Sequence, residues 1–222
     1  MIGLGTGSTA GWLAAIPSIE RVDVVELEPV LTKFATQCAP VNHDALANPK
    51  LNLIIGDGRE LLLTTKQRYD LVVSEPSNPY RAGIASLFTR EYYEAIAQKL
   101  NGGGLFAQWM QAYDMDLRTI RIFYATVSSV FPHIETWQTQ SGDLLLIASR
   151  DPISYDIDAL RTRIALDPFQ SALANVWRTT DLEGVFSHYV GNGKFARTVM
   201  HRPGVPLNTD DRMLLEFAFA RN

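Results

Sequence analysis

The strongest constraint on this chain is the rhythm of its first 150 residues. Short apolar, β-branched runs alternate there with stretches of helical character. "RVDVVELE" (21–28), "LNLIIGDG" (51–58), "YDLVVSEP" (69–76) and "LFAQWMQAY" (105–113) read as strands. "PVLTKFATQCA" (29–39), "RELLLTT" (59–65) and "TREYYEAIAQKL" (89–100) read as the helices between them. Pro29 suits a first helical turn, where its missing N–H costs nothing, and Thr89 is a candidate N-cap. "NGGG" (101–104) is expected to cap the third helix and turn the chain. Strands joined through helices build βαβ units, hence a parallel sheet covered on both faces. The strands are nearly continuous in apolar residues, as burial on both faces requires. "DLRTIRIFYATVSSVF" (116–131) reads as a helix stopped by Pro132, and "IETWQT" (134–139) with "DLLLIAS" (143–149) as a closing antiparallel pair. The rhythm changes after residue 150. Residues 156–176 look helical, 177–206 mostly irregular, and "TDDRMLLEFAFA" (209–220) reads as a last helix capped by Thr209 or Asp210. The expectation is a doubly wound, mostly parallel α/β domain over 1–150 and a helical or irregular appendage, a candidate lid, over 151–222.

Composition narrows the functional classes. The chain has 222 residues, 46% of them apolar, which suffices for a proper core. The net charge is −4 and no basic run appears, which argues against nucleic acid as a partner. A single cysteine, Cys38, permits no internal disulfide and fits a reducing, cytoplasmic setting. No apolar run approaches ~18 residues, so no membrane span is expected, and the start lacks the pattern of a signal peptide. His43, His133, His188 and His201 show no ligand spacing, so no metal site is expected. No G-x-S-x-G elbow supports a hydrolase.

The chemistry-bearing motif is the opening "MIGLGTGSTAGWLAAIP", in which Gly3, Gly5 and Gly7 alternate. One register, G-x-G-x-G over 3–7, is the pattern of class I S-adenosylmethionine (SAM) transferases. Another, Gly5-Thr-Gly7-Ser-Thr-Ala10, satisfies G-x-G-x-x-A, with Glu26 about 20 residues further on, as in a dinucleotide fingerprint. In both, glycine lets the backbone approach a ligand and an acid after the next strand takes the ribose hydroxyls. A full strand normally precedes such a loop, but here only Met1 and Ile2 do. A two-residue first strand cannot fill the middle of a parallel sheet. The reading is therefore of a truncated first strand, in a chain that is a piece of a longer protein or whose Met1 is a misassigned start, with a missing upstream segment.

Glu26, Asp57, Glu75 and Gln108 fall at or near the C-terminal ends of four expected strands, the sheet edge where open α/β folds bind ligands. Each has a plainer reading. Glu26 and Glu28 could form a solvated strand end, Asp57 could cap the following helix, and Glu75 before Pro76 could be a solvated turn. Gln108 is polar within an apolar strand, where an unpaired group costs ~1–3 kcal/mol, so it needs a neighbour or a ligand. Tyr80 and Tyr113 lie beside the expected site loops. Phe88, Tyr92 and Tyr93 read as core.

"VVELEPVL", "GDGRELL", "YDLVVSEPSNPYRAGIASLFTREYY" and "LNGGGLFAQW" follow one another as in the spermidine synthase (polyamine aminopropyltransferase) family, which the chain resembles over roughly 2–150. "NP…SLFTREYYEAI…L…GG…Q" is the most diagnostic stretch. The tail, with "PLNTDDRMLLEF", resembles larger synthase-like proteins in which this domain follows a membrane or other N-terminal half. The resemblance implies a Rossmann-like fold of the SAM-dependent methyltransferase type. It implies that Glu26 grips a ribose, that Asp57 with Gly58 reads an adenine amino group, and that Gly3, Gly5 and Gly7 lie under the nucleoside's sulfur-bearing tail. Gln108 would line the same cleft, with Asn78, Tyr80 and Tyr113 on the acceptor side. The co-substrate would be decarboxylated SAM, or SAM itself, with a polyamine or other amine as acceptor and no metal. The family carries an Asp at the position of Glu75 and another at that of Asn78, in D-x-x-D-P. Here the first acid is one methylene longer and the second is a neutral amide, which leaves Glu75 as the candidate base. The expected activity is aminopropyl transfer. The alternatives are methyl transfer on the same fold, a catalytically weak nucleoside-binding or scaffolding module, and, more distantly, an NAD-dependent oxidoreductase. The acceptor is left open and a homo-oligomer is allowed.

Overall fold

A computed structural model describes residues 1–77, 79, 81, 83–113, 115–140, 142–200 and 204–216. The chain forms two compact units. The first comprises residues 1–61 and 154–188, the second residues 62–153 and 189–222. The segment after residue 153 thus contributes to both.

The first unit begins on the glycine loop, which feeds α1 (Ser8–Ala15). Strands β1 (Val22–Glu26) and β2 (Leu51–Ile55), with α2 (Leu31–Gln37) between them in sequence, pair in parallel from Val22↔Leu51 to Glu26↔Ile55. Every residue of β1 is buried, its two acids Asp23 and Glu26 included. Ahead of the glycine loop, Ile2 forms a single parallel bridge with Val25. The Gly3 N–H donates to the Val25 carbonyl and the Val25 N–H to the Met1 carbonyl, both at 2.9 Å. Leu4, Ala10, Ala14, Val22, Val24 and Ala35 make the local core. Three of the six are alanines, which let helix and strand backbones pack closely. The helix α3 (Gly58–Thr64) starts in this unit. The expected helix over 156–176 is divided into α6 (Ile157–Ile164) and α7 (Phe169–Val176). Pro168 precedes α7, and a proline inside a continuous helix would remove one hydrogen bond and clash with the preceding turn.

The second unit contains β3 (Tyr69–Ser74), α4 (Arg90–Lys99), β4 (Leu100–Gln111), α5 (Leu117–Ser128), β5 (His133–Gln140) and β6 (Asp143–Ser149). Its sheet has the order β3-β4-β6-β5-β7, with β7 at Tyr189–Gly191. β3 and β4 are parallel, and the other neighbours are antiparallel. The closing pair is β5–β6 as expected, and β7 extends it on β5. Thr89 caps α4 by accepting from the Tyr92 N–H, and Asp116 caps α5 through Thr119. Large aromatics fill the core. Phe88, Tyr92, Tyr93, Phe106, Phe123, Tyr124 and Phe131 are all fully buried, with Phe106 5.6 Å from Tyr93 and 5.5 Å from Phe131 between ring centres. Burial pushes the Tyr93 phenol well above its ordinary pKa, with the neighbouring Tyr92 adding to the shift.

Three sequence expectations are corrected. "NGGG" does not end α4 in a turn: it lies inside β4, whose register jumps from Tyr69↔Leu100 to Leu71↔Leu105 so that the glycines bulge out of the ladder. The buried Leu100 side chain starts the strand before the glycines are reached. Residues 177–206 are not mostly irregular. They hold α8 (Leu182–Phe186), capped by Asp181, then β7 and α9 (Gly193–Met200). Thr209 starts no helix among the described residues. It bridges Arg212 instead, because buried Asn208 ties the segment down, and 217–220 lie outside the described residues. Among the described residues, no helix is long and apolar enough to cross a membrane.

Candidate active site

Glycine shapes the first half of the site. Gly3, Gly5 and Gly7 all take positive φ, at 92°, 54° and 79°, which a residue with a Cβ rarely adopts. At Gly5 the space a Cβ would fill is open and the residue is exposed, whereas at Gly7 a Cβ would lie 2.9 Å from the Asn42 amide nitrogen. Gly5 is thus where a ligand can approach the loop, and Gly7 is where the loop packs on the protein. Glu26, 6% exposed, ends β1. Its Oε2 accepts from the Leu4 N–H at 2.8 Å and its Oε1 from the Glu28 N–H at 2.9 Å. The carboxylate therefore holds the glycine loop against the strand end. A carboxylate offers about four acceptor positions, so two bonds leave capacity for hydroxyl donors.

Asp57 lies after β2 and is exposed. Its Oδ1 accepts from the N–H groups of Arg59 at 2.7 Å and Glu60 at 3.1 Å. The plain reading of Asp57 as a helix cap therefore holds, and it leaves Oδ2 out of these bonds. Gly58 opens α3 where a Cβ would lie 2.7 Å from the Ile2 side chain, so only glycine lets α3 start this close to the first strand. The structure thus gathers Gly3, Gly5, Gly7 and Glu26 through the Leu4 bond, and sets Gly58 against Ile2.

The remaining candidates belong to the second unit. Glu75 is half-buried directly after β3. Gln108 is paired with Ser74 across β3–β4 and is fully buried. Its Nε2 donates to the Trp109 carbonyl at 3.0 Å and more weakly to the Ser74 carbonyl at 3.4 Å, while its Oε1 has no partner. The question its sequence position raised is half answered: neighbours take the donors, and no described residue takes the acceptor. Tyr113 is 54% exposed in the turn after β4, against Gly142. Asn78 and Tyr80 lie outside the described residues. Among the described residues no group of three or more His, Cys, Asp or Glu gathers as a metal site would.

Four residues were missed from sequence. Asn42 is fully buried and donates from Nδ2 to the carbonyls of Thr6 (2.7 Å) and Ala35 (2.8 Å), while its Oδ1 accepts from the Ala45 N–H (3.1 Å). It pins the glycine loop from behind. At Gly11 a Cβ would overlap the Asn42 carbonyl oxygen, so the first turn of α1 needs glycine there. Gln111 and Asp143 each carry a buried acceptor with no partner. The signal that singled out Gln108, a polar residue in an apolar strand, applied equally to Gln111.

With this geometry in hand, the family can be stated. The model of the spermine/spermidine synthase domain matches residues 1–140. The chain belongs to the spermine/spermidine synthase family. It is 31% identical over 133 residues to polyamine aminopropyltransferase 1 of Pseudomonas aeruginosa, a match covering 59% of this chain and 46% of that protein. It is 26% identical over 216 residues to the polyamine aminopropyltransferase of Nitrosomonas europaea, covering 94% of this chain and 64% of that one. The chain therefore spans roughly half to two thirds of the length of these curated relatives. Among solved structures, a spermidine synthase in complex with the transition-state analogue AdoDATO superposes with a TM-score of 0.70 at 20% identity, covering 90% of this chain and 67% of that one. Human methyltransferase-like protein 13 in complex with SAH superposes at 0.57 with 18% identity, covering 81% and 79%. Both likenesses bear on the fold, which is the α/β fold shared by spermidine synthases and SAM-dependent methyltransferases.

Proposed function

We propose that this spermine/spermidine synthase family member takes part in aminopropyl transfer from decarboxylated SAM to a polyamine acceptor. The observation that carries the reading is Glu26, a buried carboxylate at the end of β1 that is bonded to the glycine loop and keeps acceptor capacity for ribose hydroxyls. Membership of the family supports aminopropyl over methyl transfer, a choice the shared fold does not make.

In the reaction, an uncharged amine nitrogen attacks the carbon next to a sulfonium. A C–N bond forms, the C–S bond breaks, its electron pair stays on sulfur, and methylthioadenosine leaves. In this reading Glu26 holds the ribose, the Oδ2 of Asp57 accepts from the adenine amino group, and the open face at Gly5 admits the sulfur-bearing tail. Glu75 takes the proton that the attacking amine must lose, directly or through one water. Asn78 supplies no charge, so Glu75 is the one carboxylate of the E-P-S-N-P run.

The test is release of methylthioadenosine from decarboxylated SAM with putrescine or spermidine. Wild type is expected to turn over. Glu75→Gln should lose ~10²–10⁴ in rate, the usual range for a general base, with unchanged affinity for methylthioadenosine. Methylation of the amine with release of S-adenosylhomocysteine from SAM, in place of aminopropyl transfer, would overturn the reading in favour of a methyltransferase. Nucleoside binding with no turnover of either donor would leave a binding module.

A further inference from the structure

We propose that Gln111 and Asp143 form an ammonium-binding subsite at the end of the β4–β6 ladder, which receives a charged nitrogen of the polyamine acceptor. The choice of a polyamine rests on the aminopropyl-transfer reading above, but the subsite itself rests on unmatched acceptors. β4 and β6 run antiparallel, and their ladder ends at Gln111↔Asp143, beyond which the Ala112 N–H bonds the Gly142 carbonyl at 2.7 Å. Residues directly opposite in an antiparallel pair project from the same face, with Cβ atoms about 4.5–5.5 Å apart. Gln111 is 1% exposed and its Oε1 has no hydrogen-bond partner. Asp143 is half-buried, and its Oδ1 is shielded and likewise without a partner.

Two neighbouring acceptors, one of them anionic, therefore face no donor among the described residues. Leaving a buried acceptor unmatched is costly, and an ammonium matches this pair: three N–H donors and one positive charge. The next step of the same face is apolar. Trp109 lies two residues back along β4, opposite Leu145, which in turn pairs with Trp137 on β5. Trp109 and Leu145 are half-buried. An apolar row that ends in two acceptors suits a chain of methylenes that ends in an ammonium. The Trp109 ring adds an attractive face for a cation. Gln108 points to the opposite face of β4, so it belongs to a different contact.

The experiment measures spermidine and putrescine in parallel on the full chain, by calorimetric binding in the presence of methylthioadenosine and by steady-state kinetics. Asp143→Asn keeps the shape and removes the charge. It should raise the spermidine Kd and KM about tenfold or more, the factor expected for a lost charged hydrogen bond, and leave the methylthioadenosine Kd unchanged. Gln111→Met should weaken spermidine less, by a few-fold. Asp143→Glu should recover part of the affinity. Wild-type spermidine affinity in Asp143→Asn, with the wild type turning over normally, would overturn the subsite and leave aminopropyl transfer standing. If the Gln111 amide simply donates to Asp143, both variants will lose thermal stability with no change in amine affinity, and the subsite is again overturned. A wild type that binds neither amine and releases no methylthioadenosine removes the functional reading and the subsite with it.

Discussion

Asn42 and Gln111 are both buried primary amides, at 0% and 1% exposure, and the chain treats them in opposite ways. Asn42 behind the glycine loop makes three hydrogen bonds, two donated and one accepted. Gln111 at the end of β4 has an acceptor that no described residue satisfies. Both sit where an apolar residue of similar size could sit. The difference separates two kinds of polar burial. In the first unit the amide is part of the frame: it crosslinks the loop to α2 and to the turn at Ala45, so the loop is built before any ligand arrives. In the second unit the amide leaves its acceptor unmatched, which is where the proposed ammonium would bind. Asn208 shows that the second unit also holds a matched amide, beside its unmatched acceptors on Gln108, Gln111 and Asp143. It is also fully buried, and its side chain bonds the carbonyls of Phe88 and Ala85 and the Leu215 N–H.

The contrast is broken most directly by removing each amide. Asn42→Ala should cost about 3 kcal/mol in a urea denaturation series, since each buried group left without its partner costs ~1–3 kcal/mol. The Ala45 N–H and the Thr6 and Ala35 carbonyls all lose theirs. Nucleoside affinity should fall with it, because the loop is no longer held. Gln111→Met should do the reverse and stabilise the fold by about 1 kcal/mol, by deleting an unmatched acceptor while keeping the volume. If Gln111→Met destabilised the protein as Asn42→Ala does, the two amides would be equivalent and the comparison would fail.

Why the sequence disclosed one of these regions better than the other follows from the range of the interactions. β1, β2, β3 and the closing pair are set by local runs, and Thr89 caps its helix through a residue three positions on, so all were legible; the cap of α5 by Asp116 was not read, although it is equally local. The place of the glycine loop and of Glu26 at the end of β1 was legible because positive φ favours Gly and the acid closes a local strand run. Asn42 was not, because an asparagine in a loop looks like a turn residue, and its partner Thr6 is 36 positions away. β7 was read as irregular because its pairing with β5 is tertiary, formed across some fifty residues, and three residues carry no periodicity. Asp143 was hidden by its register: only the pairing of β4 with β6 sets it beside Gln111.

The smallest effect belongs to a contact that looks strong. On the first unit, Arg161 and Glu183 form a two-pronged ion pair between α6 and α8, with Nη1 to Oε2 at 3.0 Å and Nη2 to Oε1 as the second bond. The hydrogen bonds from Arg161 lead the causes that lower the Glu183 pKa from 4.5 to about 2. Because the folded value is depressed, the pair's contribution is present above the unfolded value near 4.5 and is lost as pH falls through about 2. Between those limits the folded state stays ionised while the unfolded state binds a proton. Both groups are fully exposed, however, and water already solvates each charge well, so exposed pairs contribute little to folding. Carboxyl NMR should find Glu183 titrating below 4.5, by less than the contact alone would give because water screens the pair, and Arg161→Ala should move that midpoint up toward 4.5. The same variant should leave the urea midpoint at pH 7 nearly where it was, a smaller change than either amide substitution gives. A loss in Arg161→Ala as large as that in Asn42→Ala would mean that contact geometry, rather than burial, decides which polar groups hold this fold.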